Sequence, residues 1–395
     1  MGRFNPKSFA QPDLLKRIRV RNLLELLAPH RSFFEGKGFS FPPNRDDAID
    51  YLKLAGILAQ PDESMDADLV EALHVIGNLG TDENLDQLLD VARSNFIDVG
   101  DGEVTAPDLA TRIWLAAPQA LERMERTDLF QRRKKFESFR ARVPEEVAPP
   151  EALPSDFAEL EQDLGEWFEA RKRGGGVRVI RKDATGEVRF LVQHGQPCKR
   201  EPSRRGAEST CTFFRPERTD LVIYDLVNNE LRANAGALAE LRLYRQKFGH
   251  HLFGDEEKFV YAEKYTLDPL KDHGAAALYC RDVAGIEWVR LREIEYAWPG
   301  SLDHIEKHKA HDVFEALDRL GRNIERGAET RRAVFSVKLA GEKKPRSASI
   351  RPQNVAEYGR GEEALIIEEW LRARGFILVG KAAEHEETEP AVAGA

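Results

Sequence analysis

The stretch Val143-Pro144-Glu145-Glu146-Val147-Ala148-Pro149-Pro150, followed by Pro154, divides this chain of 395 residues. Proline lacks a backbone donor and clashes with the preceding helical turn, so a helix cannot continue through this segment. A chain of this length is expected to form two or three domains, at roughly 150 residues for each domain. We therefore predict a proline-rich linker over residues 141–156.

Residues 1–140, on the amino-terminal side of the linker, show the periodicity of helices. Apolar residues recur at helical spacing over 46–59, 66–78, 82–95 and 107–124. Breaker sequences such as Pro-Asp and Gly-Thr-Asp separate these runs. The segment is predicted to be an all-α module.

Residues 157–379 mix helical and strand patterns. The segments 188–192 and 221–226 carry β-branched and aromatic residues beside turn sequences that are typical of hairpins. Helices are expected at 157–171, 236–250, 301–326 and 361–374. The sequence therefore predicts an α+β protein, in which a helical N-terminal module precedes a larger mixed domain with an antiparallel sheet. Residues 380–395 are acidic and alanine-rich, which predicts a disordered tail.

Residues 171–218 form a basic island in an acidic protein. They contain thirteen Lys or Arg and five Asp or Glu, a net charge of +8, whereas the whole chain carries −9. This charge separation is unfavourable unless the island meets counter-charge, from the protein's own carboxylates or from a polyanionic partner. Cations gathered on one surface can neutralise several phosphates of a nucleic acid. The candidate nucleic-acid-binding residues are Arg178, Arg189, Lys199, Arg200, Arg204, Arg205 and Arg215.

Aromatic residues near these cations, Phe190, Phe213 and Phe214, favour single-stranded or RNA partners, whose bases stack on rings. The turn-rich stretch 199–206 is expected to be a flexible finger. The alternative interpretation is a solvated loop whose cations pair with the protein's own acidic surface.

An acidic hairpin suggests a second interpretation, a metal-dependent nuclease. Such enzymes hold Mg²⁺ with an Asp on one strand and a Glu-x-Lys on the next, and Asp220, Asp225 and Glu230 are the candidates here. Strand alternation would place Glu230 and Arg232 on one face. Arg232 replaces the usual Lys, however, and arginine does not act as a base.

A histidine cluster is the remaining candidate for a divalent metal. His304, His308 and His311 would share one stripe of the helix predicted over 301–326, at offsets of four and seven residues. The zinc-protease motif requires Glu directly after the first His, and Glu306 stands one position too far along. The alternative is a polar stripe at a packing boundary.

Several classes of protein are excluded or disfavoured by the sequence. No P-loop, dinucleotide-binding fingerprint or nucleophile elbow is present, and three widely spaced cysteines give no full disulfide framework. No secretory signal or membrane span is found, so we expect a cytoplasmic protein and no membrane partner.

The leading hypothesis is a non-catalytic intracellular component that binds nucleic acid through the island and a protein partner through its helical surfaces. A multi-component system such as bacterial antiviral defence would suit this combination. The nuclease and a scaffold without a nucleic-acid role are the alternatives, so catalysis stays open, and no cofactor other than a divalent metal is considered.

Overall fold

The structure, a computed structural model, describes residues 6, 9–42, 49–100, 102–132, 135–143, 150–261, 263–300, 302–359 and 362–378. The chain divides into two units: Met1–Leu129 with Pro202–Thr210, and Phe130–Glu201 with Cys211–Ala395. The protein is α+β, and most of its helices lie in the amino-terminal part. The tail predicted over 380–395 lies outside the described residues, as do residues 144–149 of the predicted linker.

The amino-terminal part is helical. Its helices are α1 (Pro12–Leu15), α2 (Val20–Leu27), α3 (Arg31–Gly36), α4 (Tyr51–Leu58), α5 (Ala67–Leu79), α6 (Leu85–Ser94), α7 (Ala106–Ala116) and α8 (Pro118–Arg132). The side chains of Asp50 and Thr105 accept hydrogen bonds from backbone amides and so begin α4 and α7. Pro118 divides the predicted run 107–124 into two helices, because it suits the first turn of a helix but not its interior.

The second unit is built on one sheet. Its helices are α9 (Ala158–Ala170), α10 (Leu238–Phe253), α11 (Asp268–His273), α12 (Val313–Arg319) and α13 (Glu362–Ala373). The strands of the chain are β1 (Lys135–Ala141), β2 (Arg178–Ala184), β3 (Glu187–Gly195), β4 (Lys199–Arg205), β5 (Glu208–Phe214), β6 (Glu217–Asp225), β7 (Glu230–Asn234), β8 (Phe259–Tyr261), β9 (Ile286–Ala297), β10 (Ile305–Lys309), β11 (Glu329–Leu339), β12 (Arg346–Arg351) and β13 (Val355–Glu357).

Eleven strands pair antiparallel in the order β10-β9-β11-β12-β13-β1-β7-β6-β3-β2, and β8 also pairs with β1. The strands β4 and β5 pair only with each other, as a separate two-stranded hairpin.

The helices of the second unit cover opposite faces of the two halves of the sheet. In the β1-β7-β6-β3 half, Phe139 and its neighbours on the same face pack under α9 and α10. In the β9-β11-β12-β13 half, Phe335 and its neighbours pack under α11, α12 and α13. Phe136, which shares the face of Ala356 across the β1–β13 pair, points away from Phe139, because successive strand residues alternate. The change of covered face therefore falls at β1.

Three local predictions are corrected by the structure. Residues 135–140 of the predicted all-α module lie in strand β1, because Phe136 and Phe139 are buried on opposite faces and give the strand no simple alternation. The helix predicted over 301–326 is wrong: Ile305–Lys309 forms strand β10, paired with β9, and the helix α12 spans only Val313–Arg319. Strand pairing here outweighs a helical pattern in the sequence.

The finger expected at 199–206 is mainly the strand β4 rather than an irregular loop. Among the described residues, no helix is long and apolar enough to cross a membrane.

Phe96, just after the end of α6, has a strained left-handed backbone conformation. Phe96 has φ of +56° and its side chain is 98 % exposed. The Phe96 amide donates to the Arg93 carbonyl and the Ile97 amide to the Ala92 carbonyl, the pattern that usually places glycine at this position. We expect Phe96→Gly to raise the free energy of unfolding by about 1 kcal/mol in urea denaturation, because glycine adopts this conformation without strain.

Phe96→Ala is the matched control, since alanine keeps the left-handed strain and removes only the exposed ring. Equal stabilisation by both substitutions would show that the ring, and not the backbone, is responsible.

Candidate functional site

The basic ribbon, defined as residues 199–214, is the most exposed regular structure in the basic island. Along β4 and β5 every described side chain is exposed except the half-buried Ser203. Phe213 is 70 % exposed, although large aromatic side chains usually contribute to a core. At the turn, the Gly206 amide donates to the carboxylate of Glu63 at 2.8 Å. The ribbon therefore presents its side chains to solvent on both faces.

The cations of the ribbon are available to a partner. Lys199, Arg200 and Arg204 form no ion pair with any residue that the structure describes. The backbone of Arg205 lies in β4, and the structure does not describe its side chain. Two exposed acids, Glu201 and Glu208, belong to the same ribbon. Four cations against two acids leave the ribbon with a positive field in solvent.

Four other cations of the island are neutralised within the second unit. Arg173 pairs with Glu240, Arg181 with Asp183, Arg189 with Glu187, and Arg218 with Asp220. The candidate Arg189 is therefore tied to a carboxylate. The structure thus separates Lys199, Arg200 and Arg204 on the ribbon, which form no ion pair with a described residue, from the paired cations Arg173, Arg181, Arg189 and Arg218.

The two remaining candidates lie outside the ribbon. Arg215, directly after β5, donates to the carbonyl oxygens of Lys172 and Gln196 at 2.8 and 3.1 Å, and these neutral partners do not compensate its charge. Arg178 is exposed at the start of the edge strand β2 and forms no ion pair with a described residue. Sequence proximity therefore brings together Lys199, Arg200, Arg204 and Arg205 on one element, but not all seven candidates.

Asp220 is the centre of a buried polar cluster beneath α10. Its carboxylate lies 3.0 Å from His194 Nε2 and accepts hydrogen bonds from Tyr244 at 2.9 Å and from Arg218 at 2.8 Å. His194 Nδ1 lies 3.2 Å from a guanidinium nitrogen of Arg173 and 3.0 Å from the Gly195 carbonyl oxygen. The His194 ring stacks on Phe168 at a centroid distance of 4.2 Å.

The electrostatics of this cluster favour an ionised Asp220. Burial by itself would raise the pKa of Asp220, but the hydrogen bond from His194 and the positive charge of Arg218 outweigh it and lower the pKa. Every polar group named here has a protein partner, so the cluster fixes β3, β6 and α10 together. This arrangement has the character of a structural network.

A second buried network surrounds Arg232. Its guanidinium contacts the carboxylates of Asp225, Glu230 at 2.8 Å and Glu368 at 3.4 Å. Lys264 donates to Glu230 at 2.6 Å. Burial opposes ionisation of Glu230, yet the charges of Lys264 and Arg232 lower its pKa to about 2.

The candidate nuclease acids do not converge on one position. Asp225 and Glu230 are register partners on one face of the sheet, whereas Asp220 lies on the opposite face with Tyr244. Asp225 also caps its own hairpin, by accepting hydrogen bonds from the Val227 and Asn228 amides at 2.9 and 3.0 Å. Among the described residues, no group of three or more His, Cys, Asp or Glu side chains is placed to hold a metal ion.

The three candidate histidines do not form a helical stripe. His304 precedes β10, His308 lies in it and His311 follows it. Four residues of extended chain separate His304 from His308 by about 13 Å, too far for one ion. His311 instead lies 3.1 Å from the guanidinium of Arg290. The helical spacing from which the metal site was predicted is therefore absent at these three histidines.

Sequence reasoning missed the partners that make both buried networks. Glu240, Lys264 and Glu368 carry no motif, and Glu368 is 136 positions from Arg232 in the chain. No local spacing signals such a pair. The only available signal was Glu230-x-Arg232, whose alternation places both side chains on one face.

A search of protein-family models finds no match, and neither does a search of curated proteins. Any proposal about function therefore rests on the residues of this chain.

The buried Glu230 predicts a pH-dependent stability. Its pKa is about 2 in the folded protein against an ordinary 4.5, so its charge stabilises the fold above about pH 4.5, and this contribution disappears as the pH falls towards 2. The difference corresponds to about 3 kcal/mol. We expect Glu230→Gln to lower the free energy of unfolding by about 3 kcal/mol at pH 7, and the deficit to shrink with acidification in urea titrations.

The exposed Glu159→Gln on α9 is the control and should change stability little at any pH. A deficit for Glu230→Gln that stays constant from pH 7 to pH 3 would contradict the assignment of the effect to this charge.

Proposed function

We propose that the protein binds nucleic acid through the basic ribbon. The observation that carries this proposal is the exposure of a two-stranded hairpin on which Lys199, Arg200 and Arg204 have no ion-pair partner among the described residues. A polyanion supplies the missing counter-charge, and several cations on one element can neutralise neighbouring phosphates together. The phosphate backbone is the recognised feature, which is why no base-reading motif is needed.

The shape of the ribbon supports the same proposal. An isolated two-stranded hairpin is at best marginally stable in water, and the ribbon has no hydrophobic core of its own. A hairpin of this width fits the major groove of a duplex, or it can lie along a single strand. In a hairpin with a two-residue turn and strands of equal length, Arg200 is expected opposite Phe213, which places a cation beside an aromatic ring.

A protein partner and the cellular location belong to the same proposal. The fully exposed Phe96 on the first unit is a candidate anchor for another protein, since isolated aromatic side chains are enriched at interfaces. Cys198 and Cys211 are exposed free thiols, which suits the reducing cytoplasm. Membership of a multi-component defence system remains a hypothesis.

Removing the ribbon's charge should weaken binding. We expect Lys199→Ala, Arg200→Ala, Arg204→Ala and Arg205→Ala together to reduce affinity for a labelled oligonucleotide about tenfold or more, and to lower the slope of log affinity against log salt by about 3. Fluorescence anisotropy over a salt series measures both quantities.

The control removes four exposed cations from helical surfaces, with Arg21, Lys53, Arg93 and Arg372 replaced by alanine. It changes net charge equally, so an equal loss of affinity in both variants would point to overall charge rather than the ribbon. Unchanged affinity in the ribbon variant would show that the ribbon does not bind the nucleic acid.

A further inference from the structure

The sheet of the second unit has a second surface with nucleic-acid chemistry, here called the open face. It is the face of β9, β10, β11 and β12 opposite the core formed with α11, α12 and α13. Register pairs place Arg290 beside Ser336 and Trp288 beside Lys338 on this face. These four side chains are half-buried, so each presents part of its surface to solvent.

Trp288 and Arg290 form a cation–π pair on the open face. The Arg290 guanidinium carbon lies 4.5 Å from the centre of the Trp288 ring, and its Nη1 lies 3.1 Å from Nδ1 of His311. These contacts hold the guanidinium over the aromatic ring. Ser336 and Ser347, which are paired across β11 and β12, place only small side chains on the adjoining part of this face.

The charge of the open face is positive although the chain is acidic. Its cations are Arg290, Lys307, Lys309, Arg332, Lys338 and Arg351, and its acids are Glu287, Glu293, Glu295 and Glu329. The carboxylate of Glu293 forms ion pairs with three cations: Lys307 at 2.6 Å, Arg332 at 3.0 Å and Lys309 at 3.9 Å. Glu295 is the register partner of both Lys307 and Arg332, and Glu287 lies 3.9 Å from Lys338. Six cations against four acids therefore leave a net positive charge for an anionic partner.

We propose that the open face binds single-stranded nucleic acid, independently of the ribbon. Unpaired bases would stack at the Trp288–Arg290 pair, and phosphates would contact the exposed cations Lys307, Lys309 and Arg351. Stacking selects single strands, because in a duplex the base faces are already occupied by neighbouring bases. This second surface gives the protein two nucleic-acid contacts of different chemistry.

Trp288→Ala tests the stacking platform in the full-length protein. With a labelled single-stranded oligothymidine of about 20 nucleotides, we expect the dissociation constant to rise about tenfold, and binding of a duplex of the same length to change little. Tyr279→Ala is the matched control, since Tyr279 is also exposed and has an arginine, Arg374, 5.5 Å from its ring centre.

A second variant, Lys309→Ala with Arg351→Ala, guards against a folding defect, because both side chains are exposed. It should weaken single-strand binding and lower the salt slope by about 1.4. Repeating the measurements with the four ribbon cations replaced by alanine separates the two proposals. Single-strand binding that survives there and falls with Trp288→Ala supports the open face.

Two outcomes would overturn the open face as a binding site. One is an oligothymidine affinity that stays at the level of the unsubstituted protein in both open-face variants, with only the ribbon variant weakened, which would leave the ribbon proposal intact. The other is a protein that does not bind the single strand at all.

Discussion

The structure of the second unit depends on the alternation of side chains along one central strand. In β1, Phe136 and Phe139 are both buried, on opposite faces of the sheet. Burying each ring contributes roughly 2 kcal/mol, and a slip of one residue would turn each ring to the wrong face. The pairing register of β1 with β7 and β13 therefore specifies which face of each half the helices cover. The open face is the side of the β9-β11-β12 half away from its helices, whereas the corresponding side of the other half buries Phe136, Leu191, Leu221 and Ile223.

The buried charges act on the same framework. Arg232 on β7 contacts Glu368 on α13, and Lys264, in the segment before α11, contacts Glu230 on β7. Removing charged groups from water is unfavourable, so such a network is tolerated only when every partner is present. It fixes the last helix and the 263–267 segment against the sheet in one arrangement. Acids that resemble a metal site in the sequence are thereby explained as parts of a structural network, which is how buried carboxylates and arginine most often satisfy one another.

The sequence predicts the parts of this fold that depend on neighbours in the chain. The helical periods give α5, α9, α10 and α13, and the turns at Gly186 and Asn229, both with positive φ, give the β2–β3 and β6–β7 hairpins. The elements that depend on residues distant in the chain could not be predicted from the sequence. The strand β10 exists because Pro299-Gly300 interrupts the chain and β9 offers an edge, while Asp312 delays the helix until Val313 by accepting hydrogen bonds from the Phe314 and Glu315 amides.

The same distinction applies to the candidate sites. Thirteen cations close in sequence are a local fact, but their pairing with carboxylates is a tertiary one. On β3 and β6, Arg189 pairs with Glu187 and Arg218 pairs with Asp220. These charges are therefore compensated within the packed sheet. The ribbon leaves the sheet after Gln196 and returns near Pro216, whose carbonyl accepts the Gln196 amide, and along β4 and β5 every described side chain except that of Ser203 is exposed, while that of Arg205 is not described. Uncompensated charge is tolerated there because solvent screens it, and the same exposure makes it accessible to phosphates.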